Sequence, residues 1–276
     1  MSLQPFEITR GTSPVILAFP HTGTHVPEMM LQQLNANGRL LADTDWHVDR
    51  LYEGLLPGAT SVRATFHRYV IDANRDPEGI SLYPGQNTTG LVPLTDFDGM
   101  PIWDEPSIPD DVAIAQRLEQ YHAPYHRALA AEIERVRKLH GIAVLYDCHS
   151  IRSGIPYLFS GKLPDFNIGT DTGRSCAPEF ERSTAELTAA AAADGYTSIA
   201  NGRFKGGWTT RHYGRPETGV HAIQMELAQS TYMVEEAPPF ALDMPKARRL
   251  RVHLKAILER IEAVALDLKH SQGAAR

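Results

Sequence analysis

The chain has little cysteine, no excess of positive charge and no long apolar run, and each shortage excludes a class of protein. Cys148 and Cys176 are its only cysteines. One possible pair is no disulfide framework, and it suits a reducing, cytoplasmic setting. Lysine and arginine number 27 against 33 aspartates and glutamates, a formal net charge of −6. Nucleic-acid binding needs concentrated positive charge, so that partner is not expected. A small anionic substrate remains compatible, because a few buried arginines can make a local positive pocket. No run approaches the roughly 20 apolar residues of a membrane span. The first residues, Met1 to Glu7, show no basic segment leading into an apolar one, so no signal peptide is expected. Walker-type glycine loops, internal repeats and low-complexity tracts are also missing.

What is present reads as an α/β protein. At 276 residues, 42% hydrophobic and 22% charged, the expectation is a single domain over 1–276 with a sizeable core. Residues 14–19 (PVILAF) form a continuous apolar run ending at Pro20 and His21, the signature of a buried strand followed by a loop. Residues 142–146 (IAVLY) repeat the pattern and lead into Asp147, Cys148 and His149. Residues 220–227 (VHAIQMEL) are a third such strand, with Glu226 near its end. Residues 61–66 and 69–72 are β-rich. Helical spacing predicts helices over 43–56, from Asp110 or Asp111 to Gly141 with a kink at Pro124, over 179–194, and over 244–268. Residues 76–109 are rich in Pro, Gly, Asn and Thr, and Tyr83, Leu91, Phe97 and Trp103 mark them as an ordered covering loop. Strands alternating with helices predict a mostly parallel mixed sheet with helices on both faces.

Chemistry gathers at the strand ends, where open α/β sheets bind their ligands. A lone histidine after a strand is ordinarily a hydrogen-bonded or surface residue. Here His21 and His149 occupy equivalent places, and a third strand ends near Glu226. Neutral imidazole suits zinc, and a catalytic zinc takes three protein groups. Asp45 is the expected third ligand, with Asp43 and His25 as rivals. Asp147, two residues before His149, could orient an imidazole. Glu226 among apolar neighbours is costly unless it is paired, metal-bound or functional, and beside a metal it would carry a proton. Arg75 and Arg211 are candidates for fork-like recognition of a carboxylate. Cys148 and His149 are adjacent on an extended chain and so face opposite ways, which disfavours a cysteine hydrolase.

Several segments, in order, carry a resemblance: residues 20–27 (PHTGTHVP), 43–52 (DTDWHVDRLY), 68–77 (RYVIDANRDP), 81–91 (SLYPGQNTTGL), 147–150 (DCHS), 206–214 (GGWTTRHYG) and 224–233 (QMELAQSTYM). The chain resembles the N-formylglutamate amidohydrolase family from near residue 14 to about residue 233. The resemblance implies zinc-dependent hydrolysis of N-formyl-L-glutamate to formate and L-glutamate, the last step of one route of histidine breakdown. It also implies a fold like the zinc carboxypeptidases and aspartoacylase, of the phosphorylase/hydrolase-like type. Those relatives carry a His-x-x-Glu metal pair, whereas Thr24 follows His21 at that spacing here, which directs attention to Asp45. Their substrate-binding Asn-Arg pair matches Asn74 and Arg75, their later metal histidine His149, and their catalytic glutamate Glu226. The rivals are a zinc hydrolase of another N-acyl amino acid or of a peptide C-terminus, and a non-catalytic protein that binds acidic amino acids.

Overall fold

The three apolar runs become the middle of one seven-stranded sheet. The computed structural model describes residues 4–82, 85 and 87–274; Tyr83, expected in the covering loop, lies outside them. In chain order the elements are β1 (Phe6–Thr9), β2 (Val15–Phe19), α1 (Glu28–Gln33), α2 (Val48–Tyr52), β3 (Thr60–Ala64), α3 (Asp111–Arg117) and α4 (Ala123–His140). Then come β4 (Ala143–Ile151), β5 (Phe166–Gly169), α5 (Pro178–Ala190), β6 (Ser198–Ala200), α6 (Trp208–Tyr213), β7 (Val220–Ala228) and α7 (Met244–Ala274). The strand order is β1-β3-β2-β4-β7-β5-β6. The pairs β2–β3, β2–β4, β4–β7 and β5–β6 are parallel, and β1–β3 and β5–β7 antiparallel.

Alternation along the two longest strands sorts their side chains. Val144, Tyr146, Cys148, Ile223, Met225 and Leu227 pack on one face with Leu51 of α2, Phe180 of α5 and Leu254 and Leu258 of α7. Ala143, Leu145 and Ala222 pack on the other with Tyr125, Leu129, Ile133 and Val136 of α4. By the same alternation Asp147, His149, Gln224 and Glu226 belong to the α4 side. Register then sets Asp147 opposite Gln224 and His149 opposite Glu226. All nine residues of β4 and all nine of β7 are buried, so polar groups at their ends sit in a low-dielectric interior.

Several elements differ from expectation. The helix predicted over 43–56 shrinks to α2, because the Asp45 N–H donates to the His21 carbonyl at 3.1 Å and His47 takes a left-handed φ of 62°. Residues 69–70 lie in a turn and 71–72 in no regular element, so no strand forms there, and the glycine-flanked segment that carries Arg211 is a helix, α6. The short strands β1, β5 and β6 were not anticipated; three or four residues are too few to show a period. Other expectations match. Asp110 caps α3 by accepting from the Ala113 N–H at 2.8 Å, a π turn (Leu118–His122) precedes Pro124, and Gly141 ends α4 at φ 76°, where its missing Cβ removes the left-handed penalty. Leu91, Phe97 and Trp103 are buried as a cover should be. Among the described residues no helix is long and apolar enough to cross a membrane.

Candidate active site

Two imidazoles face one carboxylate. His21 lies in the loop after β2, and its Nε2 is 2.7 Å from Asp72 Oδ1. His149 lies within β4, and its Nε2 is 3.0 Å from Asp147 Oδ2. The Nδ1 atoms of both rings turn toward Asp45 Oδ2, at 3.7 Å from His21 and 3.1 Å from His149. Asp45 is held there by its own N–H bond to His21 and by accepting from the Ser150 N–H at 3.1 Å. His21, Asp45 and His149 are all buried, and one ligand atom from each lies within 4.8 Å of the others.

This grouping has the features of a divalent-cation site. His21 Nδ1 is buried and has no hydrogen-bond partner, which a metal would supply. A metal-bound histidine ordinarily gives its other nitrogen to a carboxylate, which fixes ring and tautomer; His21 does so through Asp72, and Asp147 stands 3.0 Å from the corresponding nitrogen of His149. Donors about 2.0–2.1 Å from a tetrahedral zinc stand roughly 3.3 Å apart, a spacing bracketed by the two separations from Asp45. Charge points the same way. Taken as carboxylates, Asp45, Asp72 and Asp147 outnumber the guanidinium of Arg68 by two. That guanidinium donates to Asp72 Oδ2 at 2.6 Å and lies 3.8 Å from Asp45 Oδ1. A buried excess of two negative charges is unfavourable until a cation or protonated rings offset it.

The titration behaviour reflects the same crowding. Burial opposes charge on Asp45, but bonds from His149 and His21 outweigh it and hold the carboxyl below its usual range. Burial opposes charge on Asp72 as well, and Arg68 and His21 overcome it. For His149, burial opposes the imidazolium while Asp147 and Asp45 favour it more strongly, so its pKa rises. Glu226 goes the other way. Burial pushes its carboxyl above the usual range, and the nearby charge of His149 only partly offsets that. Gln224 Nε2 donates to Glu226 Oε2 at 3.0 Å, while Gln224 Oε1 accepts from the Gly207 N–H at 2.6 Å.

The rivals for the third ligand are placed elsewhere. Asp43 accepts from the Tyr69 hydroxyl at 2.8 Å and from the Phe97 N–H at 3.0 Å. It anchors the covering loop, and burial raises its carboxyl to about 7. His25 is exposed, as is Thr24. Cys148 points to the opposite side of the sheet, where its thiol packs in the core and burial raises its pKa well above the ordinary range.

A pocket of about 640 Å³ opens over the cluster, lined by His21, Asp45, His149 and Glu226 together with Arg68, Asn74, Arg75, Arg203, Phe97 and Leu158. Asn74 Nδ2 is 3.1 Å from His149 Nε2, and its Oδ1 accepts from the Thr209 N–H at 2.9 Å. Arg75 donates to the Thr89 carbonyl at 2.9 Å and to Thr89 Oγ1 at 3.0 Å. Arg211 is not among the lining residues. Because 208–213 is helical, its side chain is carried away, and its Nε donates to the Gly206 carbonyl at 2.9 Å and lies 3.4 Å from Asp171 Oδ1. Arg203, which lines the pocket and was not anticipated from the sequence, donates from its Nη2 to the Asn87 carbonyl at 3.3 Å. Its signal was a position just beyond β6, a strand of three residues. Asp72 and Arg68 were not anticipated either, although both stand in the segment 68–77 that carries the resemblance.

Buried acids and imidazoles gathered at the carboxyl ends of parallel strands, under a pocket with cationic walls, make a candidate metal-assisted hydrolytic site at the place where open α/β sheets bind their ligands. Comparison with known proteins narrows this. The pattern of the family described as N-formylglutamate amidohydrolase matches residues 13–233. The N-formylglutamate deformylase of Pseudomonas aeruginosa is 45% identical over 256 residues, covering 92% of this chain and 94% of that protein. That of Pseudomonas putida is 44% identical over 255 residues, with the same coverage. The crystal structure of N-formylglutamate amidohydrolase from Ralstonia eutropha has a TM-score of 0.79 at 26% identity, covering 98% of this chain and all of that one. A gene product of Agrobacterium tumefaciens shares the fold, with a TM-score of 0.67 at 18% identity over 95% of this chain and 96% of that one. The chain belongs to the N-formylglutamate amidohydrolase family.

Proposed function

We propose that this chain hydrolyses N-formyl-L-glutamate to formate and L-glutamate, using one zinc ion held by His21, Asp45 and His149. The observation that carries the reading is the pair of buried imidazoles, one hydrogen-bonded to Asp72 and the other 3.0 Å from Asp147, with both Nδ1 atoms toward Asp45 and Glu226 in register beside them. Zinc supplies Lewis acidity there, making water more acidic and the formyl carbon more electrophilic. Glu226 takes the proton of the attacking water and delivers it to the amine nitrogen as the C–N bond breaks. A carboxyl with a raised pKa suits that exchange, because it releases the proton as readily as it accepts it. Gln224 holds one Glu226 oxygen in place. Arg75, beside Asn74, receives the α-carboxylate, and Arg203 the side-chain carboxylate, each as a fork of donors. Phe97 and Leu158 supply apolar wall to the same pocket. In this reading the chain serves histidine breakdown.

The test is formate release from N-formylglutamate, N-acetylglutamate, formyl-alanine and a short peptide, before and after dialysis against a chelator and after zinc is restored. Turnover restricted to formylglutamate, lost on chelation and recovered with zinc, is the expected result. Undiminished turnover in metal-free protein would remove the zinc, and equal rates on formyl-alanine would remove the arginine selection.

A further inference from the structure

The corner that presents Asn74 and Arg75 to the pocket belongs to no helix or strand. Its main chain is nevertheless gripped. The Ala73 carbonyl lies 2.8 Å from His126 Nε2, and the Arg75 carbonyl 3.1 Å from His122 Nε2. A carbonyl oxygen only accepts, so both rings carry hydrogen on Nε2 and donate it. The two histidines come from one stretch of helix. His122 closes the π turn, His126 lies in the first turns of α4, and their ring centroids are 4.4 Å apart. Pro124 between them has no N–H to give the helix, and the wide turn before it accommodates that loss.

The other side of the corner is held by α6. Thr209, near its start, donates its N–H to Asn74 Oδ1. Trp208 packs edge-on against His126 with centroids 4.8 Å apart, and the Tyr213 hydroxyl lies 3.1 Å from His126 Nδ1. So the π turn and the start of α4 hold the main chain on both flanks of Asn74 while α6 holds its side chain. Neither His122 nor His126 is among the residues that line the pocket.

We propose that His122 and His126 are positioning residues, a clamp on the carbonyls of Ala73 and Arg75 that aims Asn74 and Arg75 at the substrate carboxylate. The inference rests on the reading that this pair faces substrate. It is tested with His126→Phe and His122→Phe, which keep a ring of similar size but lose the donor, and with His126→Gln and His122→Gln, which keep an N–H. Two quantities are read in the zinc-loaded protein: kinetics on N-formylglutamate, and hydrogen exchange of the Asn74 and Arg75 amides, both of which bond to Asp72.

Losing one such hydrogen bond is expected to raise KM roughly tenfold and to speed exchange at 74–75 by a similar factor. The kcat and metal content should stay near wild type, and the Gln variants should recover most of the loss. Should His126→Phe not fold, His122→Phe carries the same measurement. Unchanged exchange in the Phe variants overturns the clamp, as does unchanged KM despite faster exchange. Gln variants as impaired as Phe variants overturn it too, since ring packing would then be what matters. A wild-type protein inert toward formylglutamate defeats the deformylase reading alone, and exchange at 74–75 still decides the clamp.

Discussion

Replacing Asp72 with asparagine separates the metal reading from ordinary core packing. Asp72 is fully buried and does three things at once. It accepts from Arg68 at 2.6 Å, from the Asn74 N–H at 2.8 Å, and bonds His21 Nε2 at 2.7 Å. Asparagine preserves the volume but removes the charge. Removing one partner of a buried ion pair costs about 3–5 kcal/mol. Arg68 keeps Asp45 at 3.8 Å and the Asp43 carbonyl at 3.4 Å, so the low end, about 3 kcal/mol, is expected. For a chain of this size that is a fall in Tm of roughly 6–12 °C in the metal-free protein. The second effect is on the metal. Loss of a carboxylate behind a ligating histidine weakens binding by about 10–100-fold, read as a shift in zinc affinity against a competing chelator. His21→Ala, which removes a ligand outright, should weaken zinc further than Asp72→Asn does. Zinc affinity within about threefold of wild type in a folded Asp72→Asn protein would refute the reasoning, because His21 would then not be held for a metal.

Three further outcomes follow from the same geometry. Glu226→Gln should lower kcat by about two to four orders of magnitude with zinc content unchanged by elemental analysis, and intact turnover would remove Glu226 as proton carrier. Arg203→Met should raise KM for formylglutamate by about 10–100-fold and leave formyl-alanine unaffected, while Arg211→Met should change neither; the reverse pattern would restore Arg211. Acid should destabilise the fold through its neutral histidines. Burial lowers His126 to about 3, helped by the charge of His122, and lowers His221 to about 4. Both pKa values are depressed below the unfolded 6.5, so the unfolded chain binds more protons between those limits and stability falls as pH drops below 6.5. At about 1.4 kcal/mol per pH unit and group, the pair should cost about 5 kcal/mol by pH 4.5. Denaturant midpoints at pH 7 and pH 4.5 measure it, and a fall between the two pH values as large in His126→Phe as in wild type would exclude His126.

The strands that organise the molecule were legible because they are continuous apolar runs, and such runs mean burial on both faces. Their polar endings, His21, His149 and Glu226, were legible because polar residues there break the pattern. Asp45 came from the need for a third ligand once Thr24 stood where relatives carry glutamate. Arg211 was expected at the pocket because a glycine-flanked segment reads as a loop, whereas six residues of it form α6 and Arg211 is not among the residues that line the pocket. Arg203 was missed because β6 is too short to announce the loop that follows it. Asp72 and Arg68 stood unremarked inside the segment 68–77, and His122 and His126 gave no signal, since what such residues do depends on what they touch.

The amino-acid sequence by itself determined that this is an α/β protein with imidazoles and a carboxylate at the ends of buried strands. Hydrophobic periodicity is local, and a strand of five to nine residues is long enough to display it. Tertiary structure alone decided the pairing of those groups. Asp72 reaches His21 across 51 residues of chain, and Asp45 reaches His149 across 104. At such separations no repeat or spacing specifies a partner. Parallel register and the packing of α4 and α6 set the distances, and burial in a low-dielectric interior strengthens the interactions they allow, in a cluster that could hold a metal ion.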